Sequence, residues 1–207
     1  MKKILSFILL GATSLVASAQ ISSLDELSTD KAYTIYNPFY TTYAVYNAEK
    51  STSLVWAAGM TASDKTIADQ SYTTPFNAAD PSSSWMIVPF NDQWFVYNLG
   101  AKKFMAVGHT AANASTASAK LQDTPVAVEF TSNGNGGFHL RSYDGNQNFL
   151  CAAPQLSYPI SIWTSADNGS TWKIEENAQV QADYETCMQK LKEAFPETVA
   201  LKIDTHG

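Results

Sequence analysis

Between residues 31 and 176 short apolar runs alternate with clusters of turn-forming residues, and that rhythm predicts strands. Tyr33-Thr-Ile-Tyr-Asn, Trp94-Phe-Val-Tyr-Asn and Phe138-His-Leu-Arg-Ser are such runs, filled by the aromatic and β-branched residues that suit a pleated, half-buried surface. Asp144-Gly145 and Asn133-Gly-Asn-Gly-Gly137 are hairpin signals, because Gly, Asn and Asp tolerate the positive φ that tight turns demand. The two flanks have a different period. Ser23-Leu-Asp-Glu26 is a capping-box pattern that predicts one or two helical turns within 20–30. Val180, Tyr184, Cys187, Met188, Leu191 and Phe195 recur at helical spacing until Pro196, so 177–207 is predicted to carry an amphipathic helix and a tail. Its apolar stripe needs a partner, either the β core or a second protein.

The strand runs also repeat. Trp85-Met-Ile, Glu129-Phe130-Thr and Trp172-Lys-Ile each set an aromatic on a strand-like run, with the aromatics 45 and 42 residues apart. A second ladder in step with the first puts Tyr36, Tyr97 and Arg141 at matching positions. Such a period marks units that cannot bury an apolar face alone and close together on one core. Trp85, Phe130 and Trp172 are the expected plug of that core, since burying an aromatic is worth about 2–3 kcal/mol from area alone.

Ahead of this region, Lys2 and Lys3 precede an apolar run over 4–10, and Ala17-Ser-Ala19 has a small-residue cleavage pattern. Residues 1–19 therefore read as a bacterial signal peptide, which predicts a secreted or periplasmic chain starting at Gln20. The apolar run is shorter than the roughly 20 residues of a membrane span.

Without the leader, 11 basic face 19 acidic residues, a net charge of −8. The basic residues are scattered apart from Lys102-Lys103, which argues against a nucleic-acid partner. Cys151 and Cys187 could pair in an exported chain, yet each also lies on an apolar stretch where a buried thiol is at home. The sequence leaves both readings open.

Candidate chemistry is sparse. None of His109, His139 and His206 stands in a metal-ligand spacing, and no Gly-x-Ser-x-Gly occurs. Asn133-Gly-Asn-Gly-Gly lacks the Lys-Ser/Thr of a phosphate loop. Asp144-Gly-Asn-Gln-Asn148 begins like a calcium loop, but Phe149 stands at the required glycine and Gln155 at the bidentate acid. No catalytic residue, metal or cofactor is predicted.

Ile160-Ser-Ile-Trp163 followed by Asp167-Asn-Gly-Ser-Thr-Trp172 resembles the third and fourth strands of a ricin B-type lectin unit. The resemblance implies an all-β, β-trefoil domain over 31–176, acting as a non-catalytic carbohydrate-binding module. It is also similar to secreted proteins of gut and oral Bacteroidetes, in which such modules accompany glycan-degrading enzymes. This chain departs from the family at two points. The sugar-binding acid of that family falls on Tyr36, Tyr97 and Arg141, and the Gln of its final strand falls on Ser83, Val128 and Ser170. The glycan site predicted here lies in the third unit, with Trp163 as a stacking platform and Asp144, Asn146, Asp167 and Asn168 as hydrogen-bonding groups. The competing account of the same residues is a half-buried strand tryptophan beside ordinary turn formers. The 60–84 insertion, with Tyr72 and Phe76, supports an alternative as a protein-interaction or protease-inhibitor trefoil, because long loops on rigid scaffolds carry recognition. A third reading has the helix over 178–195 dock to a glycan-degrading enzyme.

Overall fold

The computed structural model describes residues 19–59, 75–108, 118–143, 148–152 and 159–196. Residues 1–18 of the 1–19 leader, most of the 60–84 insertion, Tyr72 and the Asp144-Gly145 hairpin lie outside the described residues.

The described chain is mostly β. In order it forms β1 (Gln20–Ile21), β2 (Tyr33–Asn37), β3 (Thr42–Asn47), β4 (Ser51–Ala58), β5 (Trp85–Phe90), β6 (Gln93–Asn98) and β7 (Lys103–Ala106). There follow β8 (Lys120–Gln122), β9 (Val128–Ser132), β10 (Phe138–Ser142), β11 (Phe149–Cys151), β12 (Ser161–Trp163), β13 (Lys173–Glu176) and the helix α1 (Tyr184–Ala194). Ser23 caps a 3-10 turn over Leu24–Glu26 with both halves of the capping box formed.

The strands close a barrel. β2 pairs with β5 and β13, β5 with β6, β6 with β9, and β9 with β10. Phe138 and Trp172 complete the ring by exchanging backbone hydrogen bonds of 2.7 and 2.8 Å. Closure leaves these six strands no open edge, which removes the aggregation hazard of an unpaired strand. The hairpins β3–β4, β7–β8 and β11–β12 meet beside the barrel. There Val55 N–H donates to the Ala119 carbonyl (3.0 Å), Ala119 N–H to Ile160 (2.8 Å) and Ile160 N–H to Val55 (2.8 Å).

Alternation on the barrel strands sends one set of side chains into a core that contains Tyr33, Ile35, Trp85, Val96, Phe138, Leu140 and Trp172, all fully buried or nearly so. The two tryptophans pair their indole N–H groups as well, Trp85 Nε1 to the Ala44 carbonyl at 2.7 Å and Trp172 Nε1 to Leu150 at 2.8 Å. Phe130 does not join them at the plug. Tyr33 faces Trp85 and Phe138 faces Trp172, and the residue that Trp94 faces is Val128. Val128 lies 43 residues after Trp85 and 44 before Trp172. Phe130 is two residues further along the same strand face, so it reaches the rim, half-buried, edge-on to Trp94 and Phe138 at 6.3 Å. Following aromatic identity instead of strand register caused the displacement.

Two polar side chains bolt the strand ends to short turns. Asn37 Nδ2 donates to the carbonyls of Asn168, Gly169 and Thr171 at 2.9–3.1 Å, while its Oδ1 accepts from Tyr40 N–H. Asn98 does the same with Ser82 and Ser84, and accepts from Ala101 N–H. The held segments are 3-10 turns over Pro81–Ser83 and Asn168–Ser170, capped by Asp80 and Asp167.

α1 lies on the outside of the barrel, with Cys187 and Leu191 buried against Met86, Val88, Phe95, Tyr97 and Phe104. Phe195 adds ring contacts to Phe95 at 5.7 Å and Phe90 at 5.9 Å. The predicted stripe is therefore covered by the chain's own sheet, except that Tyr184 faces outward, 42% exposed. Val180 and Ala182, in the segment before the helix, fill the space against the sheet at that end. Both cysteines are buried free thiols, Cys151 in β11 and Cys187 in α1. Burial pushes their pKa values up, to about 11 and about 12. No described helix is long and apolar enough to cross a membrane.

Candidate functional site

The outward positions of β10 are His139 and Arg141, because Phe138, Leu140 and Ser142 point inward and are buried. In register, Arg141 stands opposite Glu129 on one side and Phe149 on the other, and Phe149 stands opposite Trp163. Glu129, Arg141, Phe149 and Trp163 thus form one row across four strands, all half-buried. Arg141 Nη2 donates to Glu129 Oε1 at 2.6 Å, a charge-assisted bond that fixes the guanidinium in the row. Its Nε–H is buried with no partner among the described residues. His139 extends the face, its ring edge-on to Phe149 at 5.7 Å and its Nε2 3.2 Å from Thr171 Oγ1. Burial lowers the His139 pKa, opposed by the nearby Asp167 carboxylate, which favours the imidazolium.

The predicted site residues separate into three groups. Trp163 ends β12, partly exposed beside Phe149. Asp167 and Asn168 are exposed at the turn, but Asp167 is engaged in capping, accepting from Ser170 N–H at 3.1 Å, and the Asn168 carbonyl is held by Asn37. Asp144 and Asn146 lie outside the described residues. Glu129, His139 and Phe149 were missed by sequence reasoning. Strand alternation around Leu140 marks His139 as outward, but Glu129 and Phe149 enter only through pairing register, which a single run of sequence does not carry.

Chemically the row offers an aromatic surface flanked by a fixed donor–acceptor pair, an arrangement suited to a small polar ligand. Among the described residues no group of three or more His, Cys, Asp or Glu could hold a metal ion.

Other outer faces of the barrel are occupied differently. The outward residues of β6, Phe95 and Tyr97, lie wholly beneath α1. On β2, Tyr36 neighbours Tyr43 at 4.7 Å, and Phe76 stacks flat on Tyr43 at 3.6 Å with 11° between the planes.

No protein-family model matches the chain, and no curated protein matches it. Solved structures do. A ricin B-like lectin of Macrolepiota procera, in complex with lactose, is 14% identical over 72% of this chain and 97% of its own, with a TM-score of 0.55. A mosquitocidal holotoxin is 12% identical over 72% of this chain and 18% of its own, with a TM-score of 0.53. An endo-β-galactosidase of Clostridium perfringens that releases GlcNAcα1-4Gal is 8% identical over 70% of this chain and 32% of its own, with a TM-score of 0.50. At such identities the likeness shows the fold, the β-trefoil of ricin B-like lectins, which makes up nearly all of the fungal lectin and one part of the two larger proteins.

Proposed function

We propose that this chain is a secreted, non-catalytic trefoil module that binds carbohydrate through the outer face of β10, β11 and β12. Its body is three copies of one four-stranded unit around a pseudo-threefold axis. The cyclic hydrogen bonds among Val55, Ala119 and Ile160 support that repeat, as do the matched pairs Tyr33/Trp85, Trp94/Val128 and Phe138/Trp172.

The observation that carries the carbohydrate reading is the partly exposed Trp163 in register with Phe149, continued by the Arg141–Glu129 pair. A pyranose has an apolar C–H face and a polar rim. The first suits an indole, and the second needs donors and acceptors held at fixed places. Asp167, Asn168, Asp144 and Asn146 are the further groups assigned to that rim. The shared fold with a lactose-binding lectin is in keeping with this reading, although fold alone confers no function. The signal-peptide pattern over 1–19 supports a place outside the cytoplasm.

A glycan array probed with the full chain and with Trp163→Ala tests the proposal. Binding to a defined set of saccharides that disappears in the variant is the expected result. Silence across the array, or a signal indifferent to Trp163→Ala, contradicts it.

A further inference from the structure

On the outer face of β2 and β13, away from the Trp163 row, lies a cleft of about 220 Å³. Tyr43 and Phe76 form an aromatic wall on one side, and Asn177 and Gln179 line it on the other. Thr34 and Glu175, which face each other in register across the two strands, also line it.

The polar groups around this cleft are nearly all committed. Glu176 is neutralised by Lys31 at 2.7 Å. Asn177 donates to the Ala78 carbonyl and to Ser84 Oγ, and accepts from Gln179 N–H. Glu175 is the exception, since its half-buried carboxylate has neither hydrogen bond nor ion pair among the described residues. The Thr34 hydroxyl beside it is likewise without a hydrogen bond among the described residues. Burial, and after it the negative charge of Glu175, raises the pKa of the Tyr43 phenol, so the wall stays uncharged.

An unpaired carboxylate in a concave, partly desolvated place concentrates field and favours a positive ligand. Carboxylate and hydroxyl both accept hydrogen bonds, which favours a cation that carries N–H groups over a quaternary one. We propose that this cleft binds a primary ammonium group, taken up between Glu175 and Thr34 with its aliphatic stem against Tyr43 and Phe76. A lysine side chain of a partner and the free amine of an amino sugar share that chemistry. The site is separate from the carbohydrate face and does not depend on it.

An amide-resolved NMR titration of the full chain tests this with N-acetyl-lysine methylamide, the uncharged analogue N-acetyl-norleucine methylamide that lacks the ammonium group, glucosamine and choline. Saturable shifts of the Thr34 and Glu175 amides are expected with the lysine or glucosamine probe, and the stronger of the two identifies the source. Glu175→Gln should weaken them about tenfold or more, and Trp163→Ala should leave them unchanged. Unmoved Trp85 and Trp172 indole signals report that Glu175→Gln still folds. The proposal is overturned by the absence of shifts at tens of millimolar probe, or by equal shifts with the norleucine probe. Choline binding as tightly as lysine, or undiminished binding to Glu175→Gln, overturns it as well.

Discussion

Trp172 and Trp85 do two jobs at once, filling the barrel and satisfying a hairpin carbonyl with the indole N–H. Removing either ring leaves a cavity and an orphaned acceptor, so Trp172→Ala should cost about 3–5 kcal/mol in urea unfolding. Val128→Ala, at the matching place with no hydrogen bond to lose, should cost less. The burial of both tryptophans was legible in the sequence, and the third member was not, because Val128 is smaller and less conspicuous than Phe130 two residues on. Asn37 was equally invisible, since the carbonyls it holds lie more than 130 residues away. The thiols make a pH prediction. Burial raises both folded-state pKa values above the ordinary 9.0, so the folded chain holds its thiol protons to higher pH than the unfolded one. That contribution is complete below about pH 9 and is lost as the pH climbs through about 11 and 12. Urea midpoints should therefore fall in alkali, less steeply in Cys187→Ala, and a midpoint slope untouched by that variant would contradict the burial.

At the scale of elements, the strand rhythm and the C-terminal helix were both readable, the one from period two and the other from the 3.6-residue stripe. What no local pattern discloses is where an element lands. α1 covers Phe95, Tyr97 and Phe104, outward residues that read as ordinary strand aromatics until the register shows they face away from the core. The outward residues of β2, Thr34 and Tyr36, and of β10, His139 and Arg141, are more polar pairs. Deleting 178–207 should thus bare a contiguous aromatic patch. Increased binding of a hydrophobic dye and self-association on a sizing column are the expected outcomes, and a soluble, dye-silent truncation would show that the helix is dispensable. The Phe76 end of the 60–84 insertion likewise has a structural task, closing over Tyr43 and Gly59, which is held at φ 78°.

For the molecule as a whole, a closed barrel joined to a cyclic meeting of hairpins fixes three outer faces that carry different cargo on one frame. One is sealed by α1, one is narrowed to an acidic aromatic cleft by Phe76, and one presents the open row ending in Trp163. The β character of the fold was legible because short apolar runs between turn formers survive in sequence as spacing. The site was only half legible, because Trp163 announces itself by type whereas Glu129, Arg141 and Phe149 join it through register across separate strands. On the proposed reading the row binds saccharide as a unit. NMR titration of the chain's indole N–H signals with a saccharide bound on the array measures this directly. The account predicts that the Trp163 signal moves and saturates while those of Trp85 and Trp172 stay still, and a saturating shift that spares Trp163 would contradict it.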